Sequence, residues 1–197
     1  MTIKIKKGFT LVELLIVIAL LGTIALIVIS AINPIEQSNR ARDTHYKADG
    51  SQIISAIDRY FASHSEFPWV TFGTPTTNEA AFGFASAGSQ AVGICGADCS
   101  TDGLLLTGLE LKTEFRNRDF IKATVDEKKL MAGKKLGASE SVYTCFIPAA
   151  KSTRDKAIAD DKVYTISLSD GSRTATSACD AAGADWTTNK CYVCIPE

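Results

Sequence analysis

Glu13 is the one ionisable side chain in an apolar run that extends from Phe9 to Ile32. A carboxylate in such a run costs about 2.5 kcal/mol or more at mid-membrane. It calls for a cationic partner. Lys4, Lys6 and Lys7 precede the run, and Gly8 stands at its junction with Phe9. Hydrolysis between Gly8 and Phe9 would create an ammonium at Phe9, about one helical turn from Glu13. The same ammonium would come equally close to Glu13 of an axially shifted neighbour. Opposite charges attract far more strongly in low dielectric than in water. The chemistry encoded here is therefore pairing between a new amino terminus and a carboxylate, and such a pair can set the register of an assembly.

Cysteine supplies the second kind of chemistry. The six cysteines are Cys95, Cys99, Cys145, Cys179, Cys191 and Cys194, all beyond the apolar run. An even count on an exported segment reads as disulfides. Cys95-x-x-x-Cys99 suggests a local bridge. Cys145 and Cys194 can staple two strands, which leaves Cys179 with Cys191. Cys191 and Cys194 sit three apart, so on one strand they point to opposite faces. The same spacing also permits a four-cysteine zinc site. An oxidising compartment and the lack of a histidine nearby favour disulfides, and no metal or cofactor is expected.

The remaining polar residues carry weaker signals. His45 and His64 are the only histidines, and both read as surface or helix-end residues. No Ser-His-Asp or Cys-His arrangement, Walker loop or dinucleotide fingerprint is present, so no enzyme is expected. Asp160-Asp161 and Asp170-x-Ser172 read as turns before they read as calcium ligands. Lys128-Lys129 and Lys134-Lys135 form a basic cluster that Asp126 and Glu127 partly neutralise, and it reads as a solvated stretch. The formal net charge is −1, and losing the three leader lysines takes it to about −4. That balance makes nucleic acid an unlikely partner.

Gly8-Phe9-Thr10-Leu11-Val12-Glu13-Leu14, behind a short basic leader, resembles the class III signal of type IV pilins and type II secretion pseudopilins. The resemblance is close over residues 6 to 29 and looser to about Ser63. It implies cleavage after Gly8 and methylation of the Phe9 amine by a prepilin peptidase. It further implies packing of the helix in the core of a fibre made of copies of the chain and related pilins, built by an inner-membrane assembly platform. In the family, a helical segment between a glycine such as Gly22 and a proline can unwind. Here Ser30 occupies the usual proline position, and Pro34 follows one turn later.

These residues must be positioned by an anchor and a head. The apolar run would measure roughly 36 Å as a helix, enough to cross a bilayer core. It is too long for a conventional signal peptide. Lysines before it and a modest acidic excess after it predict the N-terminus inside and the head outside. Tyr46, Ile53, Ile54, Ile57, Tyr60 and Phe61 form one apolar stripe at helical spacing. Glu36 with Arg40 and Asp43 with Lys47 are spaced as i,i+4 pairs. One helix is predicted over about Thr10 to Ala62, with Pro34 as a kink. A variable loop follows from Ser63 to Asp102, and a short helix is predicted within Leu104 to Lys122. Alternation predicts strands at Ser141–Ile147, at Val163–Leu168 before an Asp170-Gly171 turn, and at Lys190–Ile195.

The fold class expected is α+β, a long N-terminal helix packed on a small antiparallel sheet. The expected domains are a cleaved leader over 1–8, a transmembrane and fibre-core helix over 9–32, its amphipathic continuation over 33–62, and a globular head over 63–197. The expected protein is a structural subunit of a pilus or pseudopilus. It rests as a single-pass protein in the inner membrane, in contact with lipid, before entering an extracellular or periplasmic fibre. The competing class is a membrane-anchored exported binding protein or enzyme that does not polymerise.

Overall fold

The computed structural model describes residues 8–31 and 33–196. The leader lysines Lys4, Lys6 and Lys7, and Ile32 at the end of the apolar run, lie outside the described residues. The chain divides into two compact units, one ending at Ser38 and one beginning at Asn39.

Leu, Ile, Val and Ala dominate helix α1, Leu11–Ala31, on all sides. Residues Leu11–Ile29 are long and apolar enough to cross a membrane. Helix α2 spans Pro34–His64. The single helix expected from the sequence is therefore broken, and the reason is local. Asn33 is not helical. Its side-chain oxygen accepts the Glu36 N–H at 3.2 Å and its carbonyl accepts the Gln37 N–H at 3.2 Å. Asn at the cap and Pro at the first helical position form a start signal. Pro34 opens a new helix where the sequence reading placed a kink.

After α2 come α3 (Pro68–Phe72), β1 (Phe82–Ser86), α4 (Leu104–Thr107), β2 (Leu130–Lys134) and β3 (Val142–Phe146). They are followed by α5 (Lys151–Ala159), β4 (Tyr164–Ile166), β5 (Arg173–Ala175) and β6 (Val193–Ile195). The main sheet has the order β1-β2-β3-β6, and every neighbouring pair is antiparallel. Two of its strands, β1 and β2, were not expected from the sequence. The expected strand at Val163–Leu168 shortens to β4 and leaves the main sheet, pairing with β5 in a separate hairpin. Gly171, at φ +64°, turns that hairpin. The helix expected within Leu104 to Lys122 reduces to α4 and a 3-10 turn at Thr113–Asn117.

The sheet separates two cores. Ile53, Ala56, Ile57 and Tyr60 of α2 cluster with Leu130, Ala132, Val142 and Phe146. The alternate residues Met131 and Cys145 join Trp186, Tyr192 and Val193 in the second cluster, with Ala157 of α5. Each fully buried Ile or Phe contributes roughly 1.5–3 kcal/mol. Gly50 lets α2 approach β3 closely. A Cβ there would lie 2.5 Å from the Thr144 hydroxyl.

An aromatic stack supports the loop after α2. Phe61, Phe67, Trp69 and Phe82 follow one another at centroid spacings of 4.5, 4.7 and 4.4 Å. Lys134 closes this region, and it corrects the reading of Lys134-Lys135 as a solvated pair. Its side chain is fully buried at the end of β2. The ammonium donates to the carbonyls of Asn78, Lys135 and Gly137 at 3.1, 3.1 and 2.5 Å. It also lies 5.5 Å from the Phe67 ring centre. Burial pulls its pKa below the ordinary lysine value.

Candidate functional site at the start of the first helix

Gly8, Phe9 and Thr10 precede α1. Among the described residues no atom lies within 4 Å of the position of a Cβ on Gly8, and Phe9 is 81% exposed. Thr10 caps the helix, and Glu13 is its third residue. The Thr10 N–H and hydroxyl both donate to one Glu13 carboxylate oxygen, at 2.9 and 2.8 Å, while the Glu13 N–H donates back to the Thr10 hydroxyl at 3.2 Å. This is a capping box, in which side chain and backbone satisfy each other's orphan groups. Thr10-x-x-Glu13 is its sequence signature, and the sequence reading passed over it. Glu13 thus has a role inside its own chain, separate from the one expected of it toward a neighbour. Its second oxygen, Oε1, accepts no hydrogen bond among the described residues.

Beyond this cap, α1 presents large apolar side chains on every side, from Val17 at 44% exposed to Leu11 at 79%. Such a surface is tolerated only in lipid or against other apolar helices. Gly22 sits within α1, and Thr23 returns its hydroxyl to the Leu20 carbonyl at 2.8 Å.

The head gathers the six cysteines into three bonds: Cys95–Cys99, Cys145–Cys194 and Cys179–Cys191. Strand register places Cys145 opposite Cys194 across β3 and β6. The bond between Cys179 and Cys191 closes the C-terminal loop, which Lys190 ties to Asp126. Lys190, then Lys129, hold the Asp126 carboxyl below its usual value. The hydroxyl of Ser167, and then the hydroxyl and amide of Ser172, hold Asp170 down at about 2. Asp170 is thus the pivot of a turn. No cluster of three metal-ligating side chains occurs among the described residues. His45 is exposed on α2, and His64 stacks on Tyr60 in the last turn of α2 at 4.1 Å.

Asp43 is a residue whose importance the sequence reading missed. The sequence offers it only as an i,i+4 partner for Lys47, yet it is 1% exposed. Its two oxygens accept the N–H groups of Ala149 and Ala150 at 3.0 and 2.9 Å. Arg42 also pairs with it, at 3.2 Å. Asp43 therefore joins α2 to the segment that begins α5.

The chain thus combines an apolar helix long enough to cross a membrane, with an acid-capped start, and an α+β head. Residues 3–29 match the family described as the prokaryotic N-terminal methylation motif. A fimbrial protein of Neisseria meningitidis serogroup B (strain ATCC BAA-335 / MC58) is 32% identical over 77 residues, 38% of this chain and 44% of the relative. A fimbrial protein of Neisseria meningitidis serogroup A / serotype 4A (strain DSM 15465 / Z2491) is 34% identical over 64 residues, 32% of this chain and 36% of the relative. The chain thus spans less than half the length of these curated relatives. No solved structure matches it. Over these segments the chain is similar to fimbrial proteins and carries the N-terminal methylation motif.

Proposed function

We propose that this chain is a structural, non-enzymatic subunit of a type IV pilus or related pseudopilus. It is cut after Gly8 by a prepilin peptidase, methylated at the Phe9 amine, and polymerised through α1. The single observation that carries this reading is the match of residues 3–29 to the methylation motif. The apolar surface of α1 and the acid at its start support it physically.

Before assembly, α1 lies in the inner membrane with the head outside, as the basic leader predicts. An assembly platform then moves the helix from lipid into a bundle of like helices. Apolar contact exists on both sides of that transfer, so packing and polar pairing decide it. Glu13 supplies the polar term by meeting the Phe9 ammonium of a neighbouring copy. Oε1, which the capping box does not use, can take that contact while Oε2 keeps Thr10. The fibre then extends outside the membrane, extracellularly or in the periplasm. Its partners are copies of the chain and related pilins.

N-terminal sequencing and intact mass of the protein from its native cells test the processing step. The expected N-terminus is N-methylated Phe9. A native protein that retains Lys4 to Gly8, or begins after Ala31, contradicts the reading.

A further inference from the structure

One cleft of the head has a composition that neither fibre assembly nor the fold explains. It has a volume of about 530 Å³ and lies between α2 and the segment from Asn117 to Lys128. Its walls carry Arg42, Arg118, Lys122 and Lys128 against a single acid, Asp119. The two arginines are held by acids of α2. Arg42 pairs with buried Asp43 at 3.2 Å and donates to the Ile147 carbonyl at 2.9 Å. Arg118 lies 3.4 Å from Asp49, whose carboxyl burial raises above the usual value while Arg118 opposes that rise.

The two lysines are different. Among the described residues, neither Lys122 nor Lys128 makes a side-chain hydrogen bond or ion pair. The acids next in sequence are engaged elsewhere. Asp126 holds Lys129 and Lys190, and Glu127 accepts the Thr187 hydroxyl at 3.4 Å. Asp43 and Asp49 balance the two arginines, so Asp119 is the one acid of the cleft walls left to face the two lysines, and the cleft keeps a positive excess among the described residues. The Thr124 hydroxyl and the Asn117 amide add neutral donors to the same walls.

We propose that this cleft binds a phosphoryl group brought by a ligand from outside the chain. Lysine ammoniums attract a phosphate as point charges, and the guanidinium fork of Arg118 matches two of its oxygens. A phosphate monoester carries close to two negative charges at neutral pH, which suits two unpaired ammoniums beside an arginine. The anionic phosphoryl oxygens are shared by a soluble phosphate ester and by a phospholipid headgroup, although a phosphodiester headgroup carries only one negative charge. The proposal is independent of whether the chain polymerises.

The test uses the full chain in maltoside micelles at constant ionic strength set with sodium chloride. Inorganic phosphate, glycerol 3-phosphate and monomeric dihexanoyl phosphatidylglycerol are titrated separately by calorimetry. Saturable binding is expected, with Kd roughly in the millimolar range. The doubly substituted Lys122→Gln, Lys128→Gln protein should bind at least about tenfold more weakly. Asp119→Asn should bind more tightly. Lys112→Gln with Lys156→Gln removes the same charge outside the cleft and should leave Kd unchanged. Binding of the two soluble phosphates assigns the site to free esters. Binding of the lipid alone, lost in the cleft variant, assigns it to a headgroup. No saturable binding, or equal loss in the cleft and control variants, overturns the proposal. All four lysines are exposed, and an unchanged melting curve verifies that each variant is folded.

Discussion

Sheared filament from cells carrying Glu13→Ala or Glu13→Gln is expected to fall at least about tenfold relative to total membrane protein, equivalent to about 1.4 kcal/mol or more. The two variants separate the two roles of Glu13. Alanine removes both the charge and the capping box, so the start of α1 should fray as well. Glutamine retains an oxygen for the Thr10 N–H and hydroxyl, since Gln serves at this position of a capping box. It removes only the charge. If pairing with a neighbour's ammonium is what matters, glutamine should be about as defective as alanine. Glu13→Asp keeps the charge with a shorter reach and should be intermediate. Membrane insertion should survive in all three, because an ionised carboxylate in lipid is a cost, not a support. Normal filament yield from Glu13→Gln, with loss only in Glu13→Ala, would assign the residue to helix capping and remove its role in assembly.

Asp43→Ala is expected to destabilise the head by roughly 2–4 kcal/mol. The carboxylate is 1% exposed and accepts two backbone N–H groups near the start of α5. Hydrogen bonds to a charged acceptor contribute about 1.5–3 kcal/mol each. Truncation also leaves both amides without that acceptor and deprives half-buried Arg42 of its anion. Asp43→Asn keeps one acceptor oxygen but turns an amide N–H₂ toward the other donor, so it should lie between the two. Denaturant unfolding of the full chain in micelles, followed by near-ultraviolet dichroism, measures the difference. A loss below about 0.5 kcal/mol, the range of ordinary surface substitutions, would mean that Asp43 does not hold α5 to α2.

The apolar run, the amphipathic stripe and the α+β class were legible because each depends on the types and spacing of nearby residues. Tyr46, Ile53, Ile57 and Tyr60 all face the core, as their period predicts. The break between α1 and α2 was also written locally, in Asn33-Pro34, but proline was weighed as an interruption and asparagine was not weighed as a cap. Strand β1, Phe82–Ser86, was lost in a region of small residues. Its irregular register against β2 between Phe82 and Ala85 interrupts the alternation that marks a strand. Strand β2 was hidden by Lys134, because a lysine reads as surface until three carbonyls are seen to surround it. The separation of β4 and β5 from the main sheet depends on pairing between distant segments, which local patterning does not encode. At the candidate site, Gly8, Phe9 and Glu13 were singled out by the charge pattern around the apolar run and by the resemblance of residues 8 to 14 to the class III signal. The capping box that links Thr10 to Glu13 was present as a four-residue signature and required only a helix start at Leu11.

The measurement that bears most directly on the fibre reading is mass spectrometry of sheared surface or periplasmic filaments, imaged by electron microscopy from the same preparation. The account predicts thin filaments that contain this chain as a stoichiometric component, beginning at methylated Phe9. Filaments that lack the chain, or a chain found only as an unprocessed membrane monomer, would contradict it.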